Sequence, residues 1–226
     1  MDPVIKVLLW WLAFGGTHVV LTHPPIRGAL LGRFGEKGYQ GAYSLISFAT
    51  FVPLVWAFFA NRVSDATPLP ELAMTPGLPW AAMLLMLLAV VMLVFGFAQP
   101  SPVSLAGARS RSEVVGIQRV TRHPTFMAFA IFGFAHLLVN TAAIDRVFFG
   151  GMLLFPLIGC AHQDWRKRQS ADEKIRRFFA ETSLLPFAAI ASGRNRFEPG
   201  ELGGKTIVIG LVVFAVIFVF HHRFFG

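Results

Sequence analysis

The feature that most constrains this chain is a series of long apolar runs almost free of charge. Read against the roughly 17–25 residues that a bilayer-crossing helix needs, the sequence gives about six spans: 5–22, 39–59, 79–98, 124–140, 147–163 and 205–222. Of the 226 residues 55% are hydrophobic and only 14% charged, and the mean hydropathy is +0.61. Soluble domains carry about 25% charged residues, so a water-soluble domain and a disordered chain are both excluded. The runs are continuous rather than alternating, which excludes a closed membrane barrel. Pro53 and Pro156 fall inside spans, where membrane helices accommodate them. The stretch Val4 to Leu21 is followed by no small-residue cleavage site and reads as a span, not a removed signal peptide. The expected fold is all-α, a multi-pass transmembrane helical bundle in one domain over residues 1–226.

The charge pattern then orients the chain. The net charge is +8, and in a soluble protein that would suggest nucleic acid. Here all Lys and Arg but Lys6, Arg62, Arg146 and Arg223 lie in the first, third and fifth loops or just at their edges. By the positive-inside rule those loops face the cytoplasm and both termini lie on the other side. The basic residues are thus topology signals and partners of anionic lipid headgroups. The single cysteine, Cys160, excludes an internal disulfide and sits in an apolar run as a packing residue.

The loops differ in character. Residues 60–78, with Pro68, Pro70 and Pro76, form a Pro-rich outer connection, and residues 99–121 read as an irregular inner segment. In residues 166–191 Ile175, Phe178 and Phe179 alternate with Lys174, Arg176 and Arg177. That stretch reads either as an amphipathic helix at the inner membrane surface or as a solvated charge run. No internal repeat is long enough to argue from.

Polar residues inside spans are costly and mark function by default. His18 follows Gly15-Gly16-Thr17 in the first span, and His136 follows Phe132-Gly133-Phe134-Ala135 in the fourth. Each pairs an imidazole with a neighbouring glycine gap, and neutral imidazole is a common ligand for metals and haem iron. The competing reading, a hydrogen bond to a neighbouring helix, carries about equal weight. The span boundaries set the two residues at depths about 12 Å apart, which is too far for opposite faces of one iron. A third constellation, Arg119-Val120-Thr121-Arg122-His123-Pro124, stands at the inner entry to the fourth span. Its arginines and helix start suit a phosphate or carboxylate; lipid headgroups satisfy the same pattern. His162-Gln163-Asp164 reads as an interfacial exit of the fifth span, and His23, before Pro24-Pro25, as a turn residue.

Four pieces in order resemble the NnrU family of bacterial membrane proteins. They are Gly16-Thr17-His18 followed by Arg27; Gly35-Glu36-Lys37-Gly38-Tyr39 leading to Gly41-Ala42-Tyr43-Ser44-Leu45; Thr121-Arg122-His123-Pro124 followed by Ala135-His136-Leu137-Leu138-Val139-Asn140; and Thr182-Ser183-Leu184-Leu185-Pro186-Phe187. The resemblance extends to plant 15-cis-zeta-carotene isomerases, which implies haem b held by His18 and His136 as axial ligands, with Arg122 and His123 near the propionates. It also implies a place in a bacterial inner membrane, redox-dependent isomerisation, or a part in denitrification. A more distant likeness, carried by Arg122-His123-Pro124, is to isoprenylcysteine-methyltransferase-like enzymes. That likeness implies S-adenosylmethionine as cofactor, a small or lipophilic thiol as substrate and Glu173 or Glu181 as an acidic partner. A non-catalytic assembly factor, whose polar residues only pack helices, is the third reading. Membrane lipids are the expected partners, a small lipophilic substrate fits the apolar interior, and nucleic acid is not expected.

Overall fold

The computed structural model describes residues 1–62, 75–103, 113–169 and 171–225. The central part of the Pro-rich outer connection, and the inner loop with Arg109 and Arg111, lie outside the described residues.

Helix α1 (Pro3–Thr22) starts where the Asp2 carboxylate accepts the Val4 amide at 2.7 Å and Pro3 fills the first turn, a cap and helix start that satisfy otherwise orphan amides. His23 then takes an extended backbone and Pro24 opens α2 (Pro24–Asn61), so the turn expected at His23 is present. Helix α2 runs 38 residues and breaks its geometry once, at Gly35, whose φ of +67° lies in the left-handed region that glycine enters without steric cost. The basic stretch before Gly35, read from sequence as loop, is therefore helical, and the second span follows the kink. The chain continues through α3 (Leu78–Ala98), the short α4 (Ile117–Val120), α5 (Pro124–Val139), α6 (Ala143–Lys167), α7 (Glu173–Glu181), the short α8 (Ala188–Ala191) and α9 (Gly204–Phe225).

Helices α1, α2, α3, α6 and α9 are long and apolar enough to cross a membrane. The fourth expected span, α5, has 16 residues, about 24 Å of helix against a hydrocarbon core of about 30 Å. Its shortness is met by position, because α5 is packed between α3 and α6 and its first residues stand on buried protein. The helices pair in the order α2, α1, α6, α5, α3, α9. Two glycines make the inner pairings close. A Cβ on Gly133 of α5 would stand 2.6 Å from the α6 backbone at Phe149 and Leu153, and a Cβ on Gly151 of α6 would overlap the Trp11 indole of α1. Small residues are what let membrane helices approach this closely.

One core joins α1, α2 and α6 through Val7, Trp11, Leu54, Phe58, Ile144 and Phe148. A second joins α3, α4, α5 and α6 through Met92, Phe95, Ile117, Met127 and Cys160; Cys160 is fully buried, as its apolar context led us to expect. Outward faces such as Leu45, Trp56, Val212 and Val219 are exposed and form the surface a bilayer covers.

The amphipathic stretch is narrower than its sequence bounds. Helix α7 covers only Glu173–Glu181, and Arg166 and Lys167 end α6 instead. Its Ile175 and Phe178 are buried with Val103 and Val114, so its apolar face covers the base of the protein. Beside it Arg119 grips Glu201 in a two-point fork at 2.7 and 2.8 Å. That guanidinium, followed by the Gly116 amide, holds the Glu201 carboxyl below its usual range.

Candidate functional site

The end that carries the basic loops holds a buried polar cluster. Asp164, on the last turns of α6, accepts from Arg122 through one carboxylate oxygen and faces His123 Nε2 at 2.7 Å through the other. Arg122 Nε donates to the Thr182 hydroxyl at 3.0 Å, and Nη2 to the Thr182 and Phe179 carbonyls at 2.7 and 3.4 Å. The guanidinium also lies over the Phe179 ring at 4.0 Å. Around it two segments zip together: the Arg122 amide donates to the Ser183 carbonyl, the Phe187 amide to the Val120 carbonyl, and the Thr121 hydroxyl to the Leu184 carbonyl. Arg122, His123 and Asp164 are each at most 6% exposed. Burial pushes the Arg122 guanidinium down from its ordinary value, and Asp164 pulls it back up. A guanidinium has five N–H groups; four of these are spent on internal acceptors, so the arrangement is an internal clasp and does not present Arg122 to an anion. Asp164, read from sequence as an interfacial exit, is the residue on which the clasp turns.

The two intramembrane histidines are built alike. His18 Nδ1 meets the Phe14 carbonyl at 2.7 Å, and His136 Nδ1 meets the Phe132 carbonyl at 2.9 Å, each one helical turn back. A carbonyl only accepts, so Nδ1 carries the proton in both rings and Nε2 is left as a lone pair. This is the tautomer a metal-binding imidazole uses, with its other nitrogen held by a backbone acceptor. Each ring also rests on the phenylalanine that anchors it, at 4.2 Å between centroids. The sequence signal was present: Phe14-Gly15-Gly16-Thr17-His18 and Phe132-Gly133-Phe134-Ala135-His136 are one Phe-Gly-x-x-His pattern used twice. It is too short to register as a repeat, and only the shared hydrogen bond shows what it does.

The histidines do not share a chamber. His18 stands 5.3 Å from the Phe155 ring, whereas His136 stacks on Phe149 at 4.4 Å, about 9 Å away along α6, and faces His221 of α9 at 6.4 Å. A cavity of about 280 Å³ opens at His18. Its walls are Trp11 and Phe14 of α1, Ser47, Phe48 and Phe51 of α2, Phe126 and Phe129 of α5, and Met152, Phe155 and Pro156 of α6. His18 and Ser47 supply its polar atoms. The Ser47 hydroxyl lies 3.2 Å from His18 Nε2 and donates to the Tyr43 carbonyl at 2.7 Å. Phe48 and Phe129 are 67% and 38% exposed, so the cavity opens sideways, between α2 and α5. Among the described residues no group of three or more His, Cys, Asp or Glu gathers to hold a metal ion.

These observations test a porphyrin site. The donor chemistry at His18 fits an iron ligand, and the aromatic walls fit a flat macrocycle. The volume lies just below the usual range for ligand pockets, about 300–1,000 Å³, so a porphyrin enters only if the cavity walls move apart. A single iron bound by both His18 and His136 does not fit this arrangement.

Comparison with known families matches the NnrU protein family over residues 6–226, nearly the whole chain. The chain belongs to the NnrU family. Among individual proteins this NnrU chain is similar to the chloroplastic 15-cis-zeta-carotene isomerases of Arabidopsis thaliana and Zea mays, at 27% identity in each case. The alignments cover 86% and 72% of this chain but 52% and 44% of those enzymes, so the chain spans about half the length of the relatives it matches. No solved structure matches it.

Proposed function

We propose that this chain is an isomerase-like membrane protein that holds haem b through His18 and acts on a lipophilic molecule admitted from the bilayer. The observation that supports this reading most is the His18 imidazole, locked by the Phe14 carbonyl with Nε2 as a lone pair at the edge of an aromatic cavity. The cavity's sideways opening suits a substrate dissolved in lipid. The relatives isomerise a 15-cis carotene, and by analogy the substrate class is an elongated unsaturated hydrocarbon. We place the chain in a bacterial inner membrane, basic loops on the cytoplasmic side and both termini opposite.

The residues have separate tasks in this scheme. The Phe14 carbonyl fixes the proton on His18 Nδ1 and the orientation of the ring. Phe14, Phe51 and Phe155 exclude water, and Ser47 supplies a hydroxyl at the cavity wall. If bound, haem would supply an iron that changes charge by one electron and can interact with a double bond or with a diatomic gas such as nitric oxide. The methyltransferase reading loses its anchor, because Arg122 and His123 are engaged with Asp164.

The test is optical. Protein made with ample haem and purified in a neutral detergent is expected to show a Soret band. His18→Ala should abolish it, and free imidazole should restore it in His18→Gly. A colourless wild-type protein that takes up no haem on titration overturns the reading.

A further inference from the structure

Beside the His18 cavity, toward the basic end, the three cations Arg27, Arg166 and Lys167 outnumber the acids that face them, Glu36 and Asp172. Arg166, half-buried on the last turn of α6, donates one long hydrogen bond, 3.3 Å to the Thr22 carbonyl, and no ion pair holds it among the described residues. Its electrostatic neighbours are Arg27, Tyr39 and Tyr43, and Lys167 feels Arg166 and Arg27 more strongly than the opposing charge of Asp172. Arg27 lies over the Tyr39 ring at 5.3 Å and meets Glu36 only at 3.7 Å. Next to them His162 Nε2 and Gln163 Oε1 are buried with no hydrogen-bond partner. These cations are only partly buried, the Arg27 side chain being 36% exposed, and their mutual repulsion in a half-desolvated place favours an added anion.

The cluster is joined to the cavity. The Tyr43 ring stands 5.1 Å from His18 and 6.0 Å from Tyr39, and its carbonyl accepts from Ser47 of the cavity wall. Two tyrosines thus stand between an apolar chamber and a set of guanidinium and ammonium groups, and that sequence of environments matches one molecule with two ends.

We propose that Arg27, Arg166 and Lys167, with the Tyr39–Tyr43 edge, bind the carboxylate or phosphate head of an amphiphile whose apolar body lies in the His18 cavity. This rests on the reading of that cavity as the ligand chamber, and it moves the anion site from Arg122 to Arg166. The head has two possible sources, a membrane amphiphile or the carboxylates of the porphyrin itself.

The experiment titrates purified protein in neutral maltoside detergent with dodecyl phosphate, dodecanoate, dodecanol and inorganic phosphate, reading the shift in Tm, and records the Soret band in parallel. Dodecyl phosphate and dodecanoate are expected to raise Tm. Dodecanol and inorganic phosphate, each offering one end only, should do much less. Arg166→Gln and Arg27→Gln should each weaken alkyl phosphate about tenfold or more, Arg166→Lys should restore part, and Ser47→Phe, which fills the chamber, should also weaken it. Loss of the alkyl-phosphate response with haem retained assigns the head to a membrane amphiphile; loss of haem along with it assigns the head to the porphyrin. Either supports the proposal. An unchanged response in both glutamine variants, or inorganic phosphate acting as strongly as dodecyl phosphate, overturns it. A missing Soret band with the alkyl-phosphate response intact would instead sink the haem reading alone.

Discussion

Asp164 is one carboxylate serving two cationic or polar partners in a place closed to water, so its removal strands them both. Breaking a buried pair by deleting one partner costs about 3–5 kcal/mol, because the remaining charge is left uncompensated. Asp164→Ala is accordingly expected to lower unfolding stability in mixed micelles by that order, whereas Glu173→Ala, exposed on α7 and paired at the surface with Arg176, should change it by at most about 1 kcal/mol. Equal losses in the two variants would show that the clasp is not closed. Glu201 gives the corresponding pH effect. Its carboxyl is held below the unfolded value by Arg119, so the pair stabilises fully above the ordinary carboxylate range near pH 4.3 and loses its effect as pH falls through the folded value. The Tm difference between wild type and Glu201→Gln should be constant from neutrality down to about pH 5 and vanish in stronger acid; a difference that grows on acidification would contradict this sign. Sequence alone pointed to Arg122 and His123 through Arg-His-Pro but not to their acceptor, because Asp164 is 42 residues from Arg122 and an acid at a span end looks like any interfacial residue.

At the scale of helices, the glycines that matter are those facing backbone. Gly133→Ala would place a methyl 2.6 Å from the α6 chain, and neither helix has a flexible side chain there to move aside. The expected cost is about 1–3 kcal/mol, the usual range for overpacking. At Gly16 nothing lies within 4 Å, so Gly16→Ala should be neutral or gain up to about 1 kcal/mol from helix propensity. Thermal unfolding of the two variants in one detergent separates them, and a neutral Gly133→Ala would mean that α5 and α6 are not in contact there. The glycine gaps noticed beside the histidines were thus half legible. Both neighbourhoods are glycine-rich in sequence, but at Gly15 a methyl would meet the Phe155 ring at an ordinary 3.4 Å, whereas at Gly133 the α6 backbone fills the space. Span positions came directly from the apolar runs, since a bilayer permits few alternatives. The helix before Gly35 and the true ends of α7 did not, because basic residues look alike in a loop and in a helix when no apolar run frames them.

In the proposed haem reading, the whole bundle decides how many imidazoles one iron would receive. His18 and His136 each leave Nε2 without a proton, yet α6 stands between their helices and sets their ring contacts about 9 Å apart along its axis, with the His18 cavity walled by Phe155 and His136 resting on Phe149. If haem occupies the cavity without rearranging the helices, its iron has one protein ligand. Ferric protein should then give the electron paramagnetic resonance signal of high-spin iron, and His136→Ala should leave that signal and the Soret position unchanged. Added imidazole should convert the iron to the low-spin form by taking the open side. The opposite outcome is equally specific: a low-spin resting spectrum that His136→Ala turns high-spin would mean that α1 and α5 slide past α6 to bring both rings to one metal. Such sliding would have to break the close contact at Gly133 or lift Trp11 off Gly151, so it would also make haem binding weaker in variants that tighten those contacts. The spin state therefore reports on helix packing as directly as on ligation, and it distinguishes a rigid chamber from one that closes around its cofactor.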